Sequence, residues 1–513
     1  MLFSSISYLL FLPPVLLLFW LLPHRFRGAL LLVASYYFYM SWIPVYGLLL
    51  FVLTLVNYFL GMAIYSARTK CEAQLSEGQP TKASEVSRRA ARAWLWLGVV
   101  INLSTLSYFK YTDFAIASWN KAVAISAPWL HLNVQTMSFP LQHVLLPLGI
   151  SFFVFEFIHY IVDVYKGSKT IGNFIHFSLF AAFFPSQIAG PIKRYQDFIK
   201  QLETARVFSS RNLELGLCLI LQGLFKKVAL ADNLSPIVAQ GFAHSASLGF
   251  AESWIASLAF ALQIYCDFSG YTDMGRGSAL MMGYDLPDNF NYPYIARSLS
   301  DFWKRWHISL SSWLRDYLYI PLGGSKCSMP RRYTNLFLTM LLGGLWHGAS
   351  WHFVVWGAFH GLGLIVCHTY EHLLNVSAGP ISSALKGFHA SLPGKAFSML
   401  ATFFFVLVAW VFFRAENLSQ AFNVLSAMFA PQAVSTWLAL DLERYPIMAA
   451  VVAYSIYRLV WDRREEIALK LPLLVKEAMA PLWPARVVIY LAVFVMATGL
   501  APSQASPFIY FAF

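Results

Sequence analysis

The stretch that decides the fold is LFLTMLLGGLWHGASWHFVVWGAFHGLGLIV, residues 336–366, which contains no Asp, Glu, Lys or Arg. Small residues gather at its middle, around His347, and allow the close approach of a neighbouring helix or a substrate. Two apolar runs joined by a short polar turn predict a helical hairpin over 334–371 that crosses a membrane and returns. His347 is then expected near the bend.

Composition extends this interpretation to the whole chain. Of its 513 residues, 58% are hydrophobic and 12% are charged, with a mean hydropathy of +0.57. One water-soluble globule cannot bury so much apolar surface, and soluble domains carry about 25% charged residues. The sequence therefore predicts an all-α polytopic membrane protein.

The net charge of +12 is interpreted as Lys and Arg in cytoplasmic loops rather than as a nucleic-acid surface. A smaller share of it can serve an anionic ligand such as a CoA thioester. The five cysteines are scattered without a C-x-x-C pair, so we expect neither a disulfide framework nor a metal site.

Loop charges predict the topology. The first apolar run, Leu9–Leu22, is followed by His24, Arg25 and Arg27, which favours a first helix with its N-terminus outside over a cleaved signal peptide. Further apolar runs lie at 29–43, 45–65, 94–108, 144–162, 213–230, 252–266, 334–346, 351–371, 397–413, 445–461 and 486–500. Together they predict about twelve spans with both termini outside.

Three segments depart from this simple pattern. The run 174–190 is short, contains Pro185 and Gly190, and has basic residues on both flanks, so we expect a re-entrant segment. The polar stretch 267–333 is expected on the cytoplasmic side as short helices. Lys226 and Lys227 fall inside an apolar run, either snorkelling from a helix end or forming a buried cationic site.

Two histidines are the candidate catalytic residues. His307 lies in FWKRWHISLS, residues 302–311, a segment whose indoles and cations also suit an interfacial belt. His347 lies in an apolar stretch, where a polar helix-packing role is the alternative. The topology places His347 towards the outer face and His307 on the cytoplasmic side, which suits a donor and an acceptor on different sides. The string His159-x-x-x-Asp163 is interpreted as coincidence.

The sequence resembles the membrane-bound O-acyltransferase (MBOAT) superfamily, in its bacterial branch that includes alginate O-acetyltransferases. The resemblance runs nearly from end to end, and 289–351 is its most specific block. The strings that carry it are LPLGISFFVFEFIHYIVDVYKG (146–167), AGPIKRYQDF (189–198), QIYCDFSGYTDMGRG (263–277), NFNYPYIARSLSDFWKRWHISLSSWLRDYLYIPLGG (289–324) and LTMLLGGLWHGASW (338–351), with weaker similarity in FFRAENL (412–418) and SPFIYF (506–511).

The resemblance implies a ring of about 11–12 transmembrane helices around a thin, funnel-like core. We expect a single membrane domain over 1–513, with N-terminal helices in 1–170, a catalytic core in 171–375 and C-terminal helices in 376–513. The family's invariant histidine corresponds to His347, and its second important histidine to His307.

These roles give a mechanistic hypothesis. His347 acts as the general base on an acceptor hydroxyl, because an imidazole titrates near neutral pH. His307 positions or activates the thioester, Asp316 is a candidate for orienting an imidazole, and a covalent acyl-histidine stays an alternative. Lys304, Arg305 and Arg315 are candidates for holding the donor's phosphates. The donor is acetyl-CoA or an acyl carrier, and no other cofactor is expected.

The resemblance also implies partners and a place in the cell. We expect a multi-pass protein of the bacterial inner membrane that passes acetyl groups to a periplasmic SGNH-type acetyltransferase for O-acetylation of an exopolysaccharide. Alginate is the leading acceptor, with cellulose or peptidoglycan as alternatives. From other classes, a transporter of acyl donor or polymer precursor, or a scaffold in a secretion complex, stays open. No nucleic-acid partner is expected.

Overall fold

The computed structural model describes residues 1–76, 82–130, 134–377 and 379–430, with 492, 494, 495, 499, 508 and 509. The regular structure within these ranges is helical, apart from one isolated antiparallel bridge between Phe290 and Trp306. The predicted all-α fold is confirmed. The predicted span 445–461 and most of 486–500 lie outside the described residues.

The described chain forms two compact units. The first comprises Met1–Asn212 and Ala279–Leu286, and the second Leu213–Ser278 and Pro287–Phe513. Helices of the first unit are α1 (Ile6–Leu21), α2 (His24–Met40), α3 (Val45–Ser76), α4 (Lys82–Leu130), α5 (Val134–Met137), α6 (Ile150–Lys166), α7 (Phe174–Ala182) and α8 (Tyr195–Glu203).

Helices that lie mostly or wholly in the second unit follow. They are α9 (Ser210–Leu224), a π-helical segment (Phe225–Ala231), α10 (Asp232–Ala243), α11 (Phe250–Met281), a 3₁₀ turn (Pro293–Ile295), α12 (Leu299–Trp303), α13 (Ile308–Leu314), a second π segment (Arg315–Tyr319), α14 (Met329–His347), α15 (Trp351–Val376), α16 (Pro380–Ala390), α17 (Leu392–Arg414) and α18 (Leu418–Phe429). The short helices expected in 267–333 are therefore found, although α11 extends well into that stretch.

Three of the described helices are long and apolar enough to cross a membrane, namely Val45–Leu75, Trp351–Val376 and Leu392–Arg414. The chain is a membrane protein, and the count of about twelve spans stays a prediction. The predicted re-entrant run begins as α7, which has nine residues and is too short to span. Non-helical backbone follows it and is buried throughout 183–190, which agrees with the predicted re-entrant segment, since irregular backbone is tolerated there only when protein buries it.

The largest departure from the sequence prediction is the length of α4. The apolar run 94–108 is only the middle of a helix of 49 residues. At 1.5 Å per residue such a helix is about 74 Å long, more than twice the hydrocarbon thickness. The hydropathy of a sequence indicates which part of a helix lies in the apolar layer. The backbone hydrogen bonds of the helix continue beyond that part, so hydropathy alone underestimates its length.

A reciprocal amide pair joins α3 to α4. Asn57 Nδ2 donates to Asn102 Oδ1 at 3.2 Å, and Asn102 Nδ2 donates to Asn57 Oδ1 at 2.7 Å. Both side chains are fully buried. Each amide satisfies the other, which removes the cost of burying two polar groups and fixes the register of the two helices.

In the second unit, α9 and α11 cross at paired glycines. A β-carbon on Gly223 would lie 2.4 Å from the Gly270 carbonyl oxygen, and one on Gly277 would lie 2.5 Å from the Gly216 carbonyl oxygen. The two glycines of each helix are seven residues apart, so they share one face. The helices therefore meet backbone to backbone, in antiparallel directions.

Beside this crossing, the first π segment buries two lysines in ion pairs. Lys227 Nζ lies 2.7 Å from Asp232 Oδ1 and 2.8 Å from Asp267 Oδ1, and all three side chains are buried. Lys226 Nζ lies 2.6 Å from Asp273 Oδ2. The interpretation of these lysines as snorkelling side chains is wrong, because their ammonium groups are held by carboxylates inside the unit.

Asp267 also binds a distant part of the chain. The Ile509 amide donates to its Oδ2 at 2.7 Å. The neighbouring Phe508 ring stacks on Tyr271, with centroids 4.3 Å apart. Residues 508 and 509 are thus fixed against the same helix that carries Asp267.

Candidate active site

His347 is the last residue of α14, and α15 begins four residues later at Trp351. The helices pack against each other along their length. The prediction that this histidine lies at the bend of a helical hairpin is confirmed. Only 5% of its surface is exposed.

Glycines set the distance between the two helices of the hairpin. A β-carbon on Gly344 would lie 2.3 Å from the Phe353 carbonyl oxygen, and one on Gly357 would lie 2.4 Å from the Met340 carbonyl oxygen. Neither backbone carbonyl can move without breaking its helix. The glycines therefore allow the close approach that fixes the position of His347.

We expect Gly344→Ala to destabilise the protein by about 1–3 kcal/mol, because the added methyl overpacks this contact. Gly343→Ala is the matched control, since its β-carbon would meet only the Leu314 Cδ1 atom, at 3.3 Å. That substitution should be neutral or slightly stabilising, because alanine is the better helix former. Thermal unfolding of the purified variants measures both, and equal midpoints would contradict the packing assignment.

Aromatic rings enclose the His347 imidazole. Trp346, Trp356 and Phe413 place their ring centroids 4.9, 5.0 and 5.2 Å from it, each at a steep angle. Such edge-to-face packing is favourable and leaves the imidazole in a largely apolar environment. An apolar surrounding strengthens electrostatic interactions and restricts water around the ring.

His307 lies at the start of α13 in a left-handed backbone conformation, with φ of 43°. A non-glycine residue there carries backbone strain, which is common at functional sites. Its ring is fully buried, edge-on to Phe268 at 4.7 Å and 6.3 Å from Trp346. Burial lowers the pKa of His307 to about 3, so the ring is neutral at neutral pH. Trp346 contacts both candidate histidines, and the structure therefore brings them to one cluster.

A short strand-like pairing holds His307 in place. The Ile308 amide donates to the Asn289 carbonyl at 3.0 Å, and the Asn291 amide donates to the Arg305 carbonyl at 2.9 Å. Ser309 donates from its hydroxyl to Asn289 Oδ1 at 2.6 Å. These bonds on both sides of the histidine stabilise its unusual backbone angle.

Asp316 is bonded to its neighbour in sequence. The Arg315 Nε donates to its Oδ1 at 2.7 Å, and a terminal nitrogen of the same guanidinium donates to Oδ2 at 3.3 Å. This hydrogen-bonded carboxylate raises the pKa of Arg315. Both carboxylate oxygens are engaged, and the orienting role of Asp316 stays a prediction.

The remaining candidates for binding the donor lie near the end of α12. Arg305 Nε donates to Asp301 Oδ1 at 2.7 Å and is partly exposed. Lys304 caps the C-terminus of α12 and is exposed. The arginines thus already bind carboxylates of the chain, while Lys304 presents its charge to solvent. The donor-binding roles of all three cations stay predictions.

Two further histidines, which are not among the predicted site residues, are buried on α15. His352 places its Nδ1 3.0 Å from the Phe412 carbonyl oxygen, and His360 packs against Trp356 with centroids 4.7 Å apart. His352, Trp356 and His360 are spaced four residues apart, so they share one buried face of the helix. The sequence signal that could have identified these two histidines is their four-residue spacing from Trp356 in an otherwise apolar run.

Comparison with known proteins gives a consistent result. The model of the MBOAT, membrane-bound O-acyltransferase, family matches residues 96–378, a range that contains both candidate histidines. The chain is 42% identical over 448 residues to a probable alginate O-acetylase, AlgI, of Pseudomonas aeruginosa, covering 86% of this chain and 77% of that protein. A similar protein of Azotobacter vinelandii is 41% identical, covering 88% and 82%. A peptidoglycan O-acetyltransferase of Helicobacter pylori is 37% identical, covering 79% and 74%.

Proposed function

The chain belongs to the membrane-bound O-acyltransferase family, and from that premise we propose that this acyltransferase moves acetyl groups from cytosolic acetyl-CoA across the inner membrane for the O-acetylation of alginate. The names of its relatives support an acetyl group and a polysaccharide acceptor. A periplasmic SGNH-type transferase is the proposed partner that completes the modification.

In the proposed reaction, His347 carries out one proton transfer. Its imidazole accepts the proton of the acceptor hydroxyl as the oxygen attacks the thioester carbonyl. A carbon–oxygen bond forms, the carbon–sulfur bond breaks, and CoA leaves as a thiolate that takes the proton from the imidazolium. His307, neutral and held by the Asn289 contacts, positions the thioester.

The observation that carries this proposal is the buried imidazole at the bend of the glycine-packed hairpin. Its aromatic walls restrict water, which otherwise competes with the acceptor hydroxyl for the thioester.

Peptidoglycan is the second candidate acceptor. A relative named for that activity covers 79% of this chain at 37% identity, only slightly below the alginate O-acetylases. The reaction at His347 is the same for either polymer, because the proposed periplasmic partner, and not the thioester, delivers the acetyl group to the polymer.

Vesicles that contain the protein test the function directly. Acetyl-CoA labelled with ¹⁴C in the acetyl group and ³H in the adenine is supplied on one side, and alginate, peptidoglycan and the periplasmic transferase on the other. We expect ¹⁴C on alginate and no ³H across the bilayer. Movement of both isotopes in a fixed ratio would instead identify a transporter of intact donor, and label on peptidoglycan alone would change the acceptor.

A further inference from the structure

The first unit contains a cavity of about 260 Å³ that none of the candidate catalytic residues lines. Three basic residues from the first turn of α2 line it, together with residues at the start of α7. The polar and aromatic side chains around it are those of His24, Arg25, Arg27, Asn173, His176 and Tyr284.

Positive charge in the cavity is not balanced by nearby carboxylates. Arg27 donates to two backbone carbonyls, those of Leu22 at 3.0 Å and Arg206 at 2.7 Å. Arg206 itself donates to the Gln201 carbonyl and lies over the Tyr284 ring. In the part of the chain that the structure describes, none of these cations makes an ion pair. These hydrogen bonds to uncharged carbonyl groups hold the arginine side chains in place but do not balance their positive charge.

Glu203 acts electrostatically on His176 but forms no ion pair with it among the described residues. The cavity lining contains two arginines and two histidines, and no Asp or Glu is among its residues. The excess charge favours an anion in the cavity.

Two features of the backbone and side chains add hydrogen-bond donors. The residue before α2 is Pro23, so this helix of 17 residues has no side-chain cap for its first N–H groups. The Nδ1 atom of His176 is buried and has no hydrogen-bond partner within the described ranges. An uncapped helix start beside arginines is an arrangement that suits a phosphate.

We propose that this cavity binds a phosphate group, supplied either by the headgroup of an anionic membrane lipid or by a soluble phosphate compound. The arginines and the N–H groups at the start of α2 hold the phosphate oxygens, and His24 and His176 add donors. The position directly after the apolar helix α1 suits a headgroup at the membrane surface. This site is independent of the proposed acetyl transfer.

Thermal unfolding of the full-length protein separates the two sources. Vesicles of phosphatidylcholine are compared with vesicles that also contain phosphatidylglycerol, and detergent-solubilised protein is measured with inorganic phosphate against chloride at equal ionic strength. Binding to the folded protein raises the unfolding midpoint, by an amount that grows with the ligand concentration relative to the dissociation constant. A rise only with phosphatidylglycerol supports a lipid, and a rise with inorganic phosphate supports a soluble ligand.

Two variants tie the response to the cavity. Gly28→Leu fills it, since a β-carbon there meets only Ile175 and His176 at ordinary contact distance, and the ligand-dependent rise should disappear. Arg25→Gln changes an exposed residue, so folding is kept, and affinity should fall about tenfold. Lys200→Gln removes an equally exposed charge outside the cavity and should leave the response unchanged. The proposal is overturned if the wild type shows no rise with either ligand, or if Arg25→Gln and Lys200→Gln respond alike.

Discussion

Replacing His347 with alanine in the purified full-length protein lowers acetyl transfer by about 10²–10⁴-fold, the usual contribution of a general base. The loss is in kcat, because the substitution removes a group that acts on the acceptor proton in the transition state. Binding of the donor is retained. The measurement is transfer of labelled acetyl in native-like membranes, with donor binding measured separately on the same preparation.

His372→Gln is the matched control, since His372 lies near the other end of the same hairpin and is exposed. It should transfer at the wild-type rate. His307→Ala should behave differently from His347→Ala. If His307 positions the donor, this variant has a raised KM for the donor, and acetyl transfer recovers at saturating donor concentration. If purified His347→Ala retains acetyl transfer, the assignment of His347 as the general base is wrong. If cells that carry this variant still acetylate their polymer, a scaffold role is favoured.

Replacing Lys227 with methionine destabilises the protein by about 3–5 kcal/mol, the cost of leaving buried charges without their partner. Two carboxylates, Asp232 and Asp267, then face each other inside the unit without the ammonium group. We expect a large loss of folded protein on extraction and a lower unfolding midpoint for what remains.

A triple variant separates the charge effect from the loss of packing. Adding Asp232→Asn and Asp267→Asn to Lys227→Met removes all three charges of the Lys227 ion pairs and should recover most of the folded yield. Arg89→Gln is the control, because it breaks an exposed pair with Glu85 and should change stability by less than about 1 kcal/mol. A wild-type midpoint in Lys227→Met would show that the buried pairs contribute little.

Much of the local organisation was predictable from the sequence. The hairpin around His347, the short run at 174–190 and the short helices in 267–333 all follow from hydropathy and small-residue patterns, which are local properties. The ends of α4 were not predictable in this way, because a helix continues beyond the apolar layer.

The parts that sequence reasoning missed depend on distant contacts. The ion pairs of Lys226 and Lys227 need carboxylates on other turns and helices, and no local pattern shows them. The cluster around Trp346 likewise joins α13 to α14, and its two histidines are 40 positions apart in the sequence. The family resemblance selected both histidines, although it did not indicate that they share an aromatic neighbour.

The bond from Ile509 to Asp267 has a consequence for biosynthesis. The two residues are separated by 242 positions. At about 5–20 residues per second, the ribosome needs roughly 12–50 s to make the intervening chain. During that time the Asp267 carboxylate lacks one of its donors, and the segment that supplies it is still to be translated. We therefore expect the second unit to complete its folding late. Ribosome-stalled nascent chains that lack this segment should be the form most sensitive to membrane-protein quality control.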